Sequence, residues 1–173
     1  MCIRDSLPPH PRVRLILNPA AGQGYRLADL DETFGYLVRQ GWELSLRETQ
    51  HPREARDLAR QAAVEGLDLV IAVGGDGTVN EVVNGLAGTP TIMGVLPMGS
   101  GNGWAREQGL PPEPDDAARV LVHGQVRSVD LGMAGERYFL LMASVGFDAA
   151  VVQALAEEAK QSFWPLGYIL KGI

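Results

Sequence analysis

Residues 69–86 read Leu69-Val70-Ile71-Ala72-Val73-Gly74-Gly75-Asp76-Gly77-Thr78-Val79-Asn80-Glu81-Val82-Val83-Asn84-Gly85-Leu86. The first five residues are an unbroken apolar run, the pattern of a strand buried on both faces. Three glycines and an aspartate follow, and then Val79, Val82, Val83 and Leu86 recur at helical spacing. Thr78 and Glu81 stand three apart, which predicts a capping box with Thr78 as N-cap and a helix over 78–86. The segment is therefore a strand, a glycine-rich turn and a helix. A turn of this kind can aim main-chain N–H groups, backed by the helix dipole, at a phosphate. It equally suits a tight turn that holds no ligand. A bare turn, however, does not require an acidic residue between glycines, which favours the functional reading and makes Asp76 its centre.

Working outward, the same rhythm repeats. Val13–Leu17 predicts a buried strand closed by Asn18-Pro19, and Gly22 and Gly24 form a loop before a helical stretch over 25–40. Trp42, Leu44 and Leu46 alternate as in a strand. Pro52 suits the first turn of a helix, in which Ala55, Leu58, Ala59 and Ala62 share one face up to Gly66. Residues 91–96 predict another strand, followed by Pro97-Met98-Gly99-Ser100-Gly101-Asn102-Gly103. Short helices are expected over 102–108 and 114–123. Alternating strands and helices imply crossover connections, a mainly parallel sheet and helices on both faces. Three glycine-bearing loops, at 18–22, 74–78 and 97–103, each follow a strand and should meet at one edge of that sheet, where ligands of open sheets bind.

After residue 125 the pattern changes. Residues 126–133 and 138–145 predict strands around a turn at 134–137, and a helix is expected over 149–159. The expected organisation is a disordered, proline-bearing tail over 1–11, an α/β nucleotide-binding domain over 12–125, and the incomplete beginning of a β-rich domain over 126–173.

Bulk properties narrow the function. The 173-residue chain has a formal net charge of −6, which argues against nucleic acid as the main partner. The single cysteine, Cys2, allows no internal disulfide and fits a reducing compartment. No apolar run reaches the ~18 residues that span a bilayer. The sequence lacks the Walker-type loop, the G-x-G pairs at 22/24 and 99/101 have Leu27 and Trp104 where a dinucleotide fingerprint wants a third small residue, and there is no Cys/His cluster of zinc spacing. Trp42, Trp104 and the aromatics near 163–164 are read mainly as core or seam residues. Arg53, Arg56 and Arg60 read as a solvated helix face.

The ordered set Asn18-Pro19 with Gly22, Gly74–Thr78 with Asn80-Glu81, and Pro97-x-Gly99-Ser100-Gly101-Asn102 with Ala105-Arg106 resembles the signature of diacylglycerol kinase catalytic domains. That family includes bacterial lipid kinases, sphingosine kinases and ceramide kinases. Residues 129–132, 138–139 and 146–149 resemble the start of its second, β-rich domain. The resemblance implies a three-layer, Rossmann-like domain of the NAD kinase/diacylglycerol kinase type and an ATP- and Mg²⁺-dependent transfer of phosphate to a lipid hydroxyl, whether diacylglycerol-like or sphingoid. It also implies a cytoplasmic enzyme that associates transiently with a membrane surface, with homodimerisation left open.

Carried over by position, the resemblance implies that Gly74, Gly75, Asp76, Gly77, Thr78, Val79 and Asn80 wrap the ATP phosphates. Ser100 stands where the family usually has Thr and would contact a phosphate. Thr49 matches another nucleotide-contacting residue, and Asn18 would orient the nucleotide or its loop. Asp76 would serve Mg²⁺ or the acceptor hydroxyl, the main general base being expected beyond residue 173. Gly103 departs from a position that is often Asp. An NAD kinase-like enzyme and a non-catalytic nucleotide-binding module are the alternatives.

Overall fold

The computed structural model of the chain describes residues 6–22, 30–147 and 149–151. Within them the elements run β1 (Arg12–Leu17), α1 (Asp31–Arg39), β2 (Glu43–Glu48), α2 (Glu54–Val64), β3 (Leu69–Gly74), α3 (Asp76–Leu86), β4 (Ile92–Pro97), α4 (Gly103–Glu107), α5 (Pro114–His123), β5 (Gly132–Ala134) and β6 (Arg137–Phe139). The expected helix over 25–40 is described from Leu30 onward. The segments 1–5 and 152–173, including most of the helix expected over 149–159, lie outside the described residues.

Four strands form one sheet in the order β2-β1-β3-β4. All three pairings are parallel, with Leu15 opposite both Leu46 and Ile71, and Ile71 opposite Gly94. Because side chains alternate across a strand, β1 and β3 feed two separate cores. Val13, Leu15, Leu17, Leu69, Ile71 and Val73 pack with Leu30 and Leu37 of the α1 side and with Ala117 and Ala118 of α5. Ile16, Val70 and Ala72 face the other way, against Ala55, Ala59 and Ala62 of α2 and Val79, Val82 and Leu86 of α3. Helices thus cover both faces of a parallel sheet, the three-layer α/β arrangement that the alternation implied. Trp42 is buried in the first core, and Trp104 packs against the second.

Small residues let α2 and α3 approach closely. A Cβ on Gly85 would fall 2.3 Å from the Arg56 carbonyl oxygen and 2.7 Å from Ala59 Cβ. The charged member of the interior is Arg14, only 4% exposed. Its Nε donates to Ser45 Oγ and its Nη2 to Glu65, both at 2.8 Å, so it joins β1 to β2 and to the end of α2.

Two local expectations change. The capping box does not form. The helix begins two residues earlier, at Asp76, because Gly75 takes the extended conformation needed at an N-cap (φ −93°, ψ −172°). Thr78 therefore lies inside the first turn, and Glu81 turns to α2, accepting the Arg53 N–H at 3.0 Å. Pro52 precedes α2 rather than entering it, and Arg53 becomes the N-cap in a left-handed conformation, φ 72°.

The hairpin after residue 125 lies in the same compact unit as the sheet. Strands β5 and β6 pair antiparallel through the turn at Gly135 and Glu136, and the compact unit that holds the sheet runs through Leu141. The strand expected over 138–145 stops at Phe139, and Leu140 turns inward to pack on the second core. A second unit begins at Met142, and within its described residues the Ala150 N–H donates to Gly146 O at 3.0 Å.

Candidate functional site

The parallel order places the carboxyl ends of β1, β3 and β4 side by side, so the three loops after them are neighbours. Main-chain bonds stitch them: Asn18 N–H to Val73 O and Met98 N–H to Gly74 O, each 3.0 Å. Glycine is needed for the contact that follows. A Cβ on Gly99 would stand 2.5 Å from Gly75 Cα, and one on Gly22 would stand 2.1 Å from Met98 O.

Asp76 is the bolt between the two main loops. Its Oδ2 accepts the Gly103 N–H at 3.0 Å and its Oδ1 the Trp104 N–H at 3.1 Å, so the first turn of α3 caps α4. Gly103, the departure from the family pattern, thus contributes its main-chain N–H rather than a side chain. A Cβ on Gly101 would lie 3.3 Å from Asp76 Oδ2, which keeps that residue small as well.

Asn18 holds the first loop. Its Oδ1 accepts the Ala20 N–H and its Nδ2 donates to Thr78 Oγ1, both at 3.0 Å. Thr78 is buried and its side chain leans on Gly74, where a Cβ would lie 2.5 Å from Oγ1. Thr49 sits just past β2, its N–H donating to Leu17 O at 2.8 Å, so its loop borders Asn18. That loop is braced by carboxylates: Glu54 accepts from the Gln50 and His51 N–H groups, and Glu81 accepts from Arg53. The Gln50 bond first, and the His51 bond second, hold the Glu54 carboxyl below its ordinary range.

Of the residues proposed from sequence, Asn18, Gly74, Gly75, Asp76, Gly77, Thr78 and the Ser100 loop come together at one edge. The N-cap of α3, Gly75, offers no side-chain cap to the amides of the first turn at this edge. Asp76, Gly77 and Ser100 are exposed, and a Cβ on Gly77 would meet nothing within 4 Å. Val79 is not available to a ligand: its N–H donates to Gly75 O at 3.0 Å and its side chain lies in the core. Asn80 is half-buried and its carbonyl accepts from Asn84.

Two residues that the sequence did not single out by role shape the site. Asn102 adopts φ 50° and folds over its own loop, taking the Gly99 N–H on Oδ1 (2.8 Å) and giving Nδ2 to Gly99 O (2.7 Å). An Asn among glycines, tolerant of the left-handed region, was the available signal. Asn84, two turns into α3, had none.

The residues fit a polyphosphate: open space above Gly77, uncapped amides of α3, and loops packed too closely for side chains. They fit Mg²⁺ through one carboxylate, Asp76, whose oxygens keep acceptor capacity. Among the described residues no cluster of three or more acidic, His or Cys side chains forms a cage. A phosphate-bridging Mg²⁺ needs only one or two carboxylates.

The family described as "Diacylglycerol kinase catalytic domain" matches residues 12–134. The chain is 39% identical over 163 residues to "Probable lipid kinase YegS-like" of Chromohalobacter salexigens, covering 92% of this chain and 51% of that protein. It is 36% identical over 166 residues to "Diacylglycerol kinase" of Bacillus subtilis, covering 94% and 54%. A solved diacylglycerol kinase from Bacillus anthracis superposes with a TM-score of 0.67 at 31% identity, over 75% of this chain and 46% of that one. The chain therefore spans about half the length of the curated relatives it matches. Fold, loop geometry and sequence agree: the chain belongs to the diacylglycerol kinase catalytic-domain family.

Proposed function

We propose that the protein of which this chain forms part transfers the γ-phosphate of ATP to a lipid hydroxyl, and that this chain carries the nucleotide half of the site. The observation that carries the reading is the junction of the 74–78 and 97–103 loops, locked by Asp76 onto Gly103 and Trp104. Phosphoryl transfer requires positioning and charge neutralisation more than covalent chemistry by the protein. The first-turn amides of α3 and the Gly99–Gly101 backbone would hold the phosphates. The Ser100 hydroxyl would donate to a phosphate oxygen, while Asn18, through Thr78, keeps the first turn of α3 in place.

Mg²⁺, when bound, neutralises the charge that builds on the β- and γ-phosphates. Asp76 would hold it while keeping the loops together. Because Asp76 would be engaged with Mg²⁺ as well as with the Gly103 and Trp104 amides, we assign the removal of the acceptor's proton to another carboxylate of the full-length protein. No described helix is long and apolar enough to cross a membrane. We place the lipid at a membrane surface, reached by peripheral association.

The test is Asp76→Ala in the full-length protein, assayed by labelled-phosphate transfer from Mg-ATP to diacylglycerol, sphingosine and extracted lipids, with NAD as a parallel acceptor. Loss of all lipid phosphorylation is expected. Wild-type turnover in the variant would remove Asp76 from the site, and phosphorylation of NAD alone would move the enzyme to the other kinase class.

A further inference from the structure

We propose that Asn84 is a positioning residue for the phosphoryl transfer, an inference that rests on the kinase reading above. It lies outside the phosphate-binding turn, two helical turns along α3 and half-buried. Its Oδ1 accepts the Tyr138 N–H at 2.9 Å and its Nδ2 donates to the Tyr138 carbonyl at 2.8 Å. One side chain thus satisfies both main-chain groups of a strand residue, as a neighbouring strand would. The same Nδ2 also reaches Asn80 O at 2.8 Å, which fixes the rotamer of the amide against its own helix. An apolar residue at 84 would leave a half-buried N–H and C=O of Tyr138 without these partners.

What is held has consequences three residues later. From Tyr138 the chain passes Leu140, packed on the core under α2 and α3, and reaches Leu141. A Cβ on Gly103 would lie 3.1 Å from Leu141 Cδ2. Gly103 is the residue whose N–H Asp76 binds. The segment that follows the strand gripped by Asn84 therefore runs past the junction of the two loops, and the α/β unit ends there at Leu141. Helix α3 supplies phosphate-binding amides at one end and, through Asn84, sets where the chain departs beside them. Asn84 touches no reacting atom; it fixes the departure point relative to the Asp76–Gly103 junction, and a misplacement of about 1 Å in such a frame costs on the order of 100-fold in rate.

The experiment uses the full-length protein with Asn84→Ala. Expected are an unchanged Kd for Mg-ATP by calorimetry (within about two-fold), a kcat for lipid phosphorylation lowered roughly 10- to 100-fold, and faster hydrogen exchange at the Tyr138 amide. A purely structural role would lower nucleotide affinity and turnover together. Wild-type kcat, or parallel loss of Mg-ATP binding, overturns the proposal. If Asn84→Ala does not fold, Asn84→Asp replaces it: the carboxylate still accepts the Tyr138 N–H but loses the donor to its carbonyl. Its second oxygen would face the Tyr138 and Asn80 carbonyls without a proton to share, so the fall in kcat should be no smaller, and wild-type kcat again overturns the role. An inactive wild-type protein refutes the kinase reading itself, and the wild-type arm reports that separately.

Discussion

Gly99→Ala is the sharpest probe of the site, because one methyl group tests whether contact between two loops makes it. The added Cβ would stand 2.5 Å from Gly75 Cα, 2.9 Å from Asn102 Oδ1 and 3.3 Å from Gly75 N. Non-bonded carbons settle at about 3.5–4.0 Å, so the loops must part by about 1 Å. Neither side can yield cheaply. Gly75 is backbone between a strand and a helix, and Asn102 is committed to Gly99 through two bonds. Gly99 has no left-handed φ, so alanine meets no torsional objection and the effect is purely steric. Overpacking of this kind costs about 1–3 kcal/mol, which in a domain of this size lowers Tm by roughly 2–4 °C per kcal/mol. The functional loss should be larger: a 1 Å shift of the amides proposed to hold phosphate should cost about 100-fold in kcat/KM. Gly75→Ala, whose Cβ would lie 3.1 Å from Gly99 Cα, should show the same effects in weaker form. The assays are thermal unfolding, Mg-ATP calorimetry and lipid phosphorylation by the full-length variants. Wild-type nucleotide affinity and turnover in Gly99→Ala would refute the claim that the two loops form one site.

Gly85→Ala is the structural counterpart: alanine would improve helix propensity by about 1 kcal/mol, but its Cβ would collide with Arg56 O at 2.3 Å. The sum should be a destabilisation of about 1–3 kcal/mol by urea unfolding, with Mg-ATP affinity of the folded protein retained. Glu54→Gln should lower Tm at neutral pH. The folded-state pKa of Glu54 is depressed, so its contribution is present above the unfolded value and disappears as pH falls through the folded one. The gap between variant and wild type should therefore close in melts taken at progressively more acidic pH; a gap that stays constant would refute the role given to the Gln50 and His51 bonds.

The fold was largely legible because period and punctuation agreed. The run 69–73 could only be a doubly buried strand, and the alanines of α2 announced a face packed closely on a partner. The site was legible in outline because glycines between charged or polar residues stood at three strand ends. What sequence could not supply was the partner of each side chain. Thr78 and Glu81 have the right spacing for a capping box, yet each has a better long-range bond, to Asn18 and to Arg53. Asp76 read as chemistry alone, while its bonds to Gly103 and Trp104 make it structural as well. Val79 belonged to the motif by position, but helix geometry turns it inward. The hairpin's allegiance to α3 rests on Asn84 and Tyr138, 54 residues apart, a distance no local pattern bridges.

The two ends of the sheet use glycine for opposite reasons, and a saturation screen would separate them. At the loops after β3 and β4, Gly75 and Gly99 are required for want of room, so every larger residue should fail in rough proportion to its size. At the turns entering β3 and β4, Gly66 and Gly88 have φ of 71° and 78° with nothing within 4 Å of an added Cβ. There handedness is the only constraint, asparagine should pass where valine does not, and a fluorophore or an inserted peptide would be carried without disturbing the opposite rim.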